Sequence, residues 1–87
     1  MPRWYGTFGV STSLGSRYVV LEAETREAAS MLMDRRFPRW SNVYSQEQWD
    51  VKNWAGHTQA QRLGLTEATP MEEEQYRENW NPDHQRG

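Results

Sequence analysis

The chain contains no cysteine, so no disulfide braces it and no thiol is on hand as nucleophile or zinc ligand. Its only imidazoles are His57 and His84, and no Cys/His spacing of a metal site occurs, so neither a metal nor any other cofactor is expected. No stretch approaches the roughly 20 apolar residues that span a bilayer. Met1-Pro2-Arg3-Trp4-Tyr5 lacks the apolar segment of a secretory signal. A cytoplasmic protein with no membrane partner is the expectation. Lysine is nearly missing as well, with nine Arg against one Lys. Arg suits planar, bidentate recognition of phosphate and carboxylate, although a G+C-rich coding genome produces the same bias. A net charge of −2 without a basic run argues against long nucleic acid as a partner.

What remains is a single domain of 87 residues. A chain this short buries only about 60–65% of its unfolded surface, so its core is marginal. With disulfides excluded and no metal expected, the available supports are self-association and the eleven aromatic residues. A homo-oligomer is therefore expected. Charge is divided along the chain: residues 1–40 carry net +2 and residues 41–87 net −4.

Residues 4–10 read as a strand, with Phe8 and Val10 on one face and Tyr5 and Thr7 on the other. A polar connection follows, and residues 17–24 form the clearest strand, with Val19, Leu21 and Ala23 on one side. Thr25 caps a helix whose apolar stripe is Ala28, Ala29, Leu32 and Met33, and Pro38 ends it at Phe37. Residues 40–45 read as a strand with Trp40, Asn42 and Tyr44 on one side. Ser45-Gln46-Glu47-Gln48 is a capping box, opening a second helix that carries Trp49 and Trp54 and ends near Gly56. Thr58 to Leu63 adds a further turn or two, closed by Gly64. Leu65 begins a short edge strand or a packed connector. Thr69-Pro70-Met71-Glu72 opens a last helix that runs to about Trp80, before Asn81-Pro82.

The resulting expectation is an α+β fold of order β-β-α-β-α-(β)-α. It has an antiparallel sheet of three to four strands, with helices packed on one face. Residues 1–69 make the core domain. Residues 70–87 make an acidic C-terminal helix and a frayed tail. The uncovered sheet face is where a second subunit or a ligand is expected.

Catalysis is not expected. No Ser lies in a nucleophile elbow, His57 sits in a loop with no orienting partner, and Glu72, Glu73 and Glu74 fan outward along a helix. The hairpin offers a binding site instead. Gly9, Ser11, Thr12, Ser13, Gly15 and Ser16 are small or hydroxylic, and small residues let backbone N–H groups approach an anion. Arg17 at the loop exit suits a bidentate phosphate contact. Arg35, Arg36 and Arg39 flank Trp40, and aromatic faces beside guanidinium groups hold bases and phosphates. The candidate ligand-binding residues are Thr7, Gly9, Ser11, Thr12, Ser13, Gly15, Arg17, Arg39, Trp40 and Tyr44. The loop is neither a Walker motif nor a dinucleotide fingerprint, because no helix follows it. The same composition also makes an ordinary turn-rich hairpin, and the same rings also make a core.

Several runs together resemble a loose pattern of small accessory proteins of actinobacterial phages and prophages. They are Tyr5-Gly6-Thr7-Phe8-Gly9, Tyr18-Val19-Val20-Leu21-Glu22-Ala23-Glu24-Thr25, Glu27-Ala28-Ala29 through Met33 to Phe37, Trp40-Ser41, Tyr44-Ser45 and Leu63-Gly64-Leu65-Thr66-Glu67. The resemblance covers about residues 4–68 and leaves out residues 71–87. It implies a host-directed role, and some such phage proteins are sponges for nucleotide immune signals. On that reading the chain sequesters a cyclic dinucleotide or a cyclic ADP-ribose derivative without cleaving it, and so evades host defence. The alternative is an inhibitor that sets the acidic last helix, with Tyr76 and Trp80 as anchors, on a basic surface of a host defence protein.

Overall fold

The computed structural model describes residues 1–79. Along the chain lie β1 (Arg3–Phe8), β2 (Arg17–Glu22), α1 (Arg26–Arg36), β3 (Trp40–Ser45), α2 (Gln46–Asp50), α3 (Gln59–Leu63), β4 (Thr66–Glu67) and α4 (Pro70–Asn79). Trp80, Asn81-Pro82 and the end assigned to a frayed tail lie outside the described residues. The strands form one mixed, mostly antiparallel sheet in the order β3-β1-β2-β4, so the fold is α+β as its pattern implies. The short strand after Leu65 is real, but it pairs parallel to β2, placing Thr66 beside Arg17 and Glu67 beside Tyr18.

Local chemistry sets the helix ends. The Thr25 hydroxyl accepts the Ala28 N–H, and the Ser45/Gln48 and Thr58/Gln61 pairs are complete capping boxes. Gly64 closes α3 in the left-handed region, at φ 69°. At the start of α4, Glu72 accepts the Thr69 N–H at 2.9 Å and its own N–H donates to the Thr69 hydroxyl.

The main core lies between the sheet and α1. Phe8, Val19, Leu21 and Val43 meet Ala29, Met33 and Phe37 there, and burial of each large side chain contributes roughly 1.5–3 kcal/mol. Gly6 makes room for Met33, since a Cβ at that position would stand 2.6 Å from Met33 Sδ. From α4, Tyr76 enters the same core fully buried, packing on Phe8 and Phe37, and its hydroxyl donates to the Pro38 carbonyl.

Three details differ from the pattern in the sequence. β1 stops at Phe8, and Val10 is exposed, because Leu14 folds back into the core and draws the connection into successive turns. A bulge between Thr7 and Phe8 shifts the β1–β3 register, pairing Phe8 with Trp40 and Thr7 with Asn42. Trp40 therefore packs on the α1 side and not with Asn42 and Tyr44, and its indole N–H donates to Asp34 Oδ1 at 2.7 Å. Finally, α2 ends at Asp50, so Trp54 is not helical. Val51 is extended at ψ 125°, and the Asn53 side chain takes the backbone N–H groups of Ala55 and His57. A side chain that bonds nearby amides in this way competes with the helix. While α1 and α4 pack on one face of the sheet, α2 lays Trp49 on the other.

Candidate functional site

The hairpin residues form a closed loop. Thr12 donates both its N–H and its hydroxyl to the Gly9 carbonyl, at 3.0 and 2.8 Å. Gly15 N–H reaches the Thr12 carbonyl and Arg17 N–H the Leu14 carbonyl, each at 3.0 Å. Three of the amides that an anion cradle would use thus serve the loop itself. Gly15 is required by close approach, because a Cβ there would stand 2.7 Å from the Val10 carbonyl oxygen. Val10, Ser11, Ser13 and Ser16 are the exposed residues of the loop.

Arg17 stands at the loop exit, partly exposed. Its Nε bonds Glu72 Oε2 at 3.1 Å, and its Nη1 bonds the Ser16 hydroxyl at 3.2 Å. The Thr69 amide, together with Arg17, holds the Glu72 carboxyl below the usual carboxylate range. A carboxylate thus occupies the position assigned to a phosphate. The cross-strand pairs place the hairpin, Arg17, Arg39 and Trp40 at one end of the sheet, since Phe8 pairs with Trp40 and Thr7 with Tyr18. Arg39 is exposed in the left-handed region at φ 66°. Thr7 is buried, with its hydroxyl on the Asn42 carbonyl at 3.4 Å. Tyr44 is farther along, paired with Tyr5.

On this second face Trp49 is the centre of an aromatic cluster. It stacks on Tyr5 at 4.9 Å between centroids and touches Tyr18 at 5.0 Å and Tyr44 at 5.5 Å. Burial, with Glu67 nearby, pushes the Tyr18 phenol pKa up. The face assigned to a ligand or a subunit is therefore partly filled by α2.

The most exposed large hydrophobic side chain among the described residues lies elsewhere. Trp54 is 98% exposed at the tip of the connection between α2 and α3. The loop beneath it is ordered by its own bonds. Asn53 Oδ1 accepts from Ala55 and His57 at 2.9 and 3.0 Å, Asn53 N–H donates to the His57 carbonyl at 3.0 Å, and Gly56 turns the chain at φ 81°. Arg62 ties the loop base to α3, bonding the Val51 carbonyl at 3.4 Å and Gln59 Oε1. Val51 and Leu63 add exposed apolar surface. Residues 51–66 contain no Asp or Glu, whereas Lys52, His57 and Arg62 fall within them. That acid-free run is the signal of this surface in the sequence.

Among the described residues no three metal-ligating side chains gather, and no helix is long and apolar enough to cross a membrane. Compared with protein-family models, with curated proteins and with solved structures, the chain finds no match.

Proposed function

We propose that the chain is a non-catalytic protein-binding domain whose contact is the Trp54 loop. The carrying observation is a fully exposed indole on a hydrogen-bonded loop that bears only cationic charge. Exposing a Trp costs solvation that a free domain gains nothing from, and buried Trp anchors dominate interface energetics. An ordered loop also loses little conformational entropy on docking. The fitting partner has an apolar pocket with an acidic rim that meets Lys52 and Arg62. The phage-like pattern supports a host defence protein as that partner. The acidic last helix is a weaker contact, because Tyr76 is buried in the core and Glu72 is engaged by Arg17. The test is photocrosslinking from position 54 in bacterial cells, followed by affinity measurements of the purified partner against wild type and Trp54→Ala. Crosslinks to lipid, or binding to anionic vesicles alone, would point to a membrane surface instead.

Sequestration of a nucleotide signal is the second reading. It is favoured by the juxtaposition of the Arg17 guanidinium and the Ser16 hydroxyl at the hairpin exit. An anion there must displace Glu72, so Glu72→Gln should tighten it. Calorimetry with cyclic dinucleotides and cyclic ADP-ribose isomers, on wild type and this variant, decides. No heat from either protein removes the reading.

A further inference from the structure

We infer that the free edge of β2 is the surface through which two copies of this chain join. β4 covers β2 only at Arg17 and Tyr18. The Tyr18 carbonyl accepts the Ala68 N–H at 2.8 Å, so the backbone groups of Tyr18 point away from β1. Alternation along an antiparallel strand turns Val20 and Glu22 the same way. Among the described residues no strand pairs with that side of Val20 and Glu22. The opposite edge of the sheet is blunted, because Arg26 Nη1 donates to the Val43 carbonyl at 2.5 Å. An open edge is a template for another strand.

The surroundings indicate which strand. Two surface clefts, of about 670 and 300 Å³, share Met1, Glu22 and Leu32 and so form one depression along β2 and α1. Val20, Met1 and Met31 supply exposed apolar surface beside it. The charges are balanced, with Arg3, Arg35 and Arg36 against Glu22, Glu24 and Glu67. A twofold interface presents a patch to itself, so a patch of one sign repels its copy and a balanced one fits it. A twofold axis at Leu21 sets Val20 against Glu22 of the second copy and, reciprocally, Glu22 against its Val20. Both are outward-facing residues, so the join closes about four backbone hydrogen bonds and runs the sheet through both copies. Burial of apolar surface there compensates for the small core of each chain. The Trp54 loop takes no part, so this inference stands apart from the proposed function.

Sedimentation equilibrium of the full chain across a concentration series tests it, alongside circular dichroism. Wild type should reach twice 10.3 kDa. Val20→Lys places a charge on the edge without touching the core, and should raise the dissociation constant at least about tenfold while keeping the wild-type spectrum. Because the chain is free of cysteine, Val20→Cys combined with Glu22→Cys should oxidise to a covalent dimer. Wild type staying at 10.3 kDa throughout, or Val20→Lys associating as tightly as wild type, would overturn the inference.

Discussion

The rings of Tyr5 and Trp49 lie face to face, 4.9 Å between centroids and 2° from parallel. This stack pins a five-residue helix to the sheet, with Tyr18 and Tyr44 closing around the indole. A helix this short has little stability of its own, so the stack fixes where the Trp54 loop begins. Trp49→Ala should therefore cost about 3–5 kcal/mol. Urea unfolding measures the loss, and a cost under about 1 kcal/mol would contradict the packing described.

Trp54 is the opposite case, although it lies only five positions on. Its ring buries nothing in the isolated domain, so Trp54→Ala should change stability by no more than about 0.5 kcal/mol. Its removal should also take away the most red-shifted part of the tryptophan fluorescence. A large drop in melting temperature would mean that the ring packs on the domain.

Two glycines should respond differently to alanine. At Gly15 the new Cβ meets the backbone of Val10, which cannot move without opening the hairpin. At Gly6 it meets the thioether end of Met33, a flexible chain that can shift. Gly15→Ala should cost about 1–3 kcal/mol and Gly6→Ala less. Paired denaturation curves give the order.

Acid titration separates two neighbouring carboxylates. The folded-state pKa of Glu72 is lowered, first by the Thr69 amide and then by Arg17. Its contribution is present above the ordinary carboxylate value of 4.5 and is lost as pH falls through the lower folded value. Glu73 is raised by burial, which outweighs Arg77, so its contribution is present below 4.5 and is lost as pH rises through the folded value. Glu72→Gln should thus lower stability at neutral pH and flatten the acid limb. Glu73→Gln should raise stability at neutral pH, with the gain vanishing in acid. Urea unfolding at a series of pH values reads both signs.

Features governed by near neighbours were legible in the sequence. Thr25, Ser45, Thr58 and Thr69 each bond an amide three residues on, and Gly64 needs only its own φ. The β1–β2 pairing follows from alternation and a short connection. Features set by distant partners were not. Arg17 finds Glu72 across 55 positions, and no local pattern announces that a carboxylate fills the place read as a phosphate site. The bulge at Thr7 and Phe8 turns Trp40 to the α1 face by a single-residue slip, which alternation within β3 cannot register. Composition also could not separate Trp49 from Trp54. The difference is that one faces three tyrosine rings and the other only solvent.

The role of Trp54 as an anchor is read from the affinity of the protein crosslinked from position 54, determined by calorimetry against wild type and Trp54→Ala at matched stability. Trp54→Ala should lose at least about 30-fold in affinity, the scale of a 2 kcal/mol anchor. Higher salt should also weaken the wild-type complex, as charge pairing with Lys52 and Arg62 requires. Equal affinity of the two proteins for that partner would contradict that role.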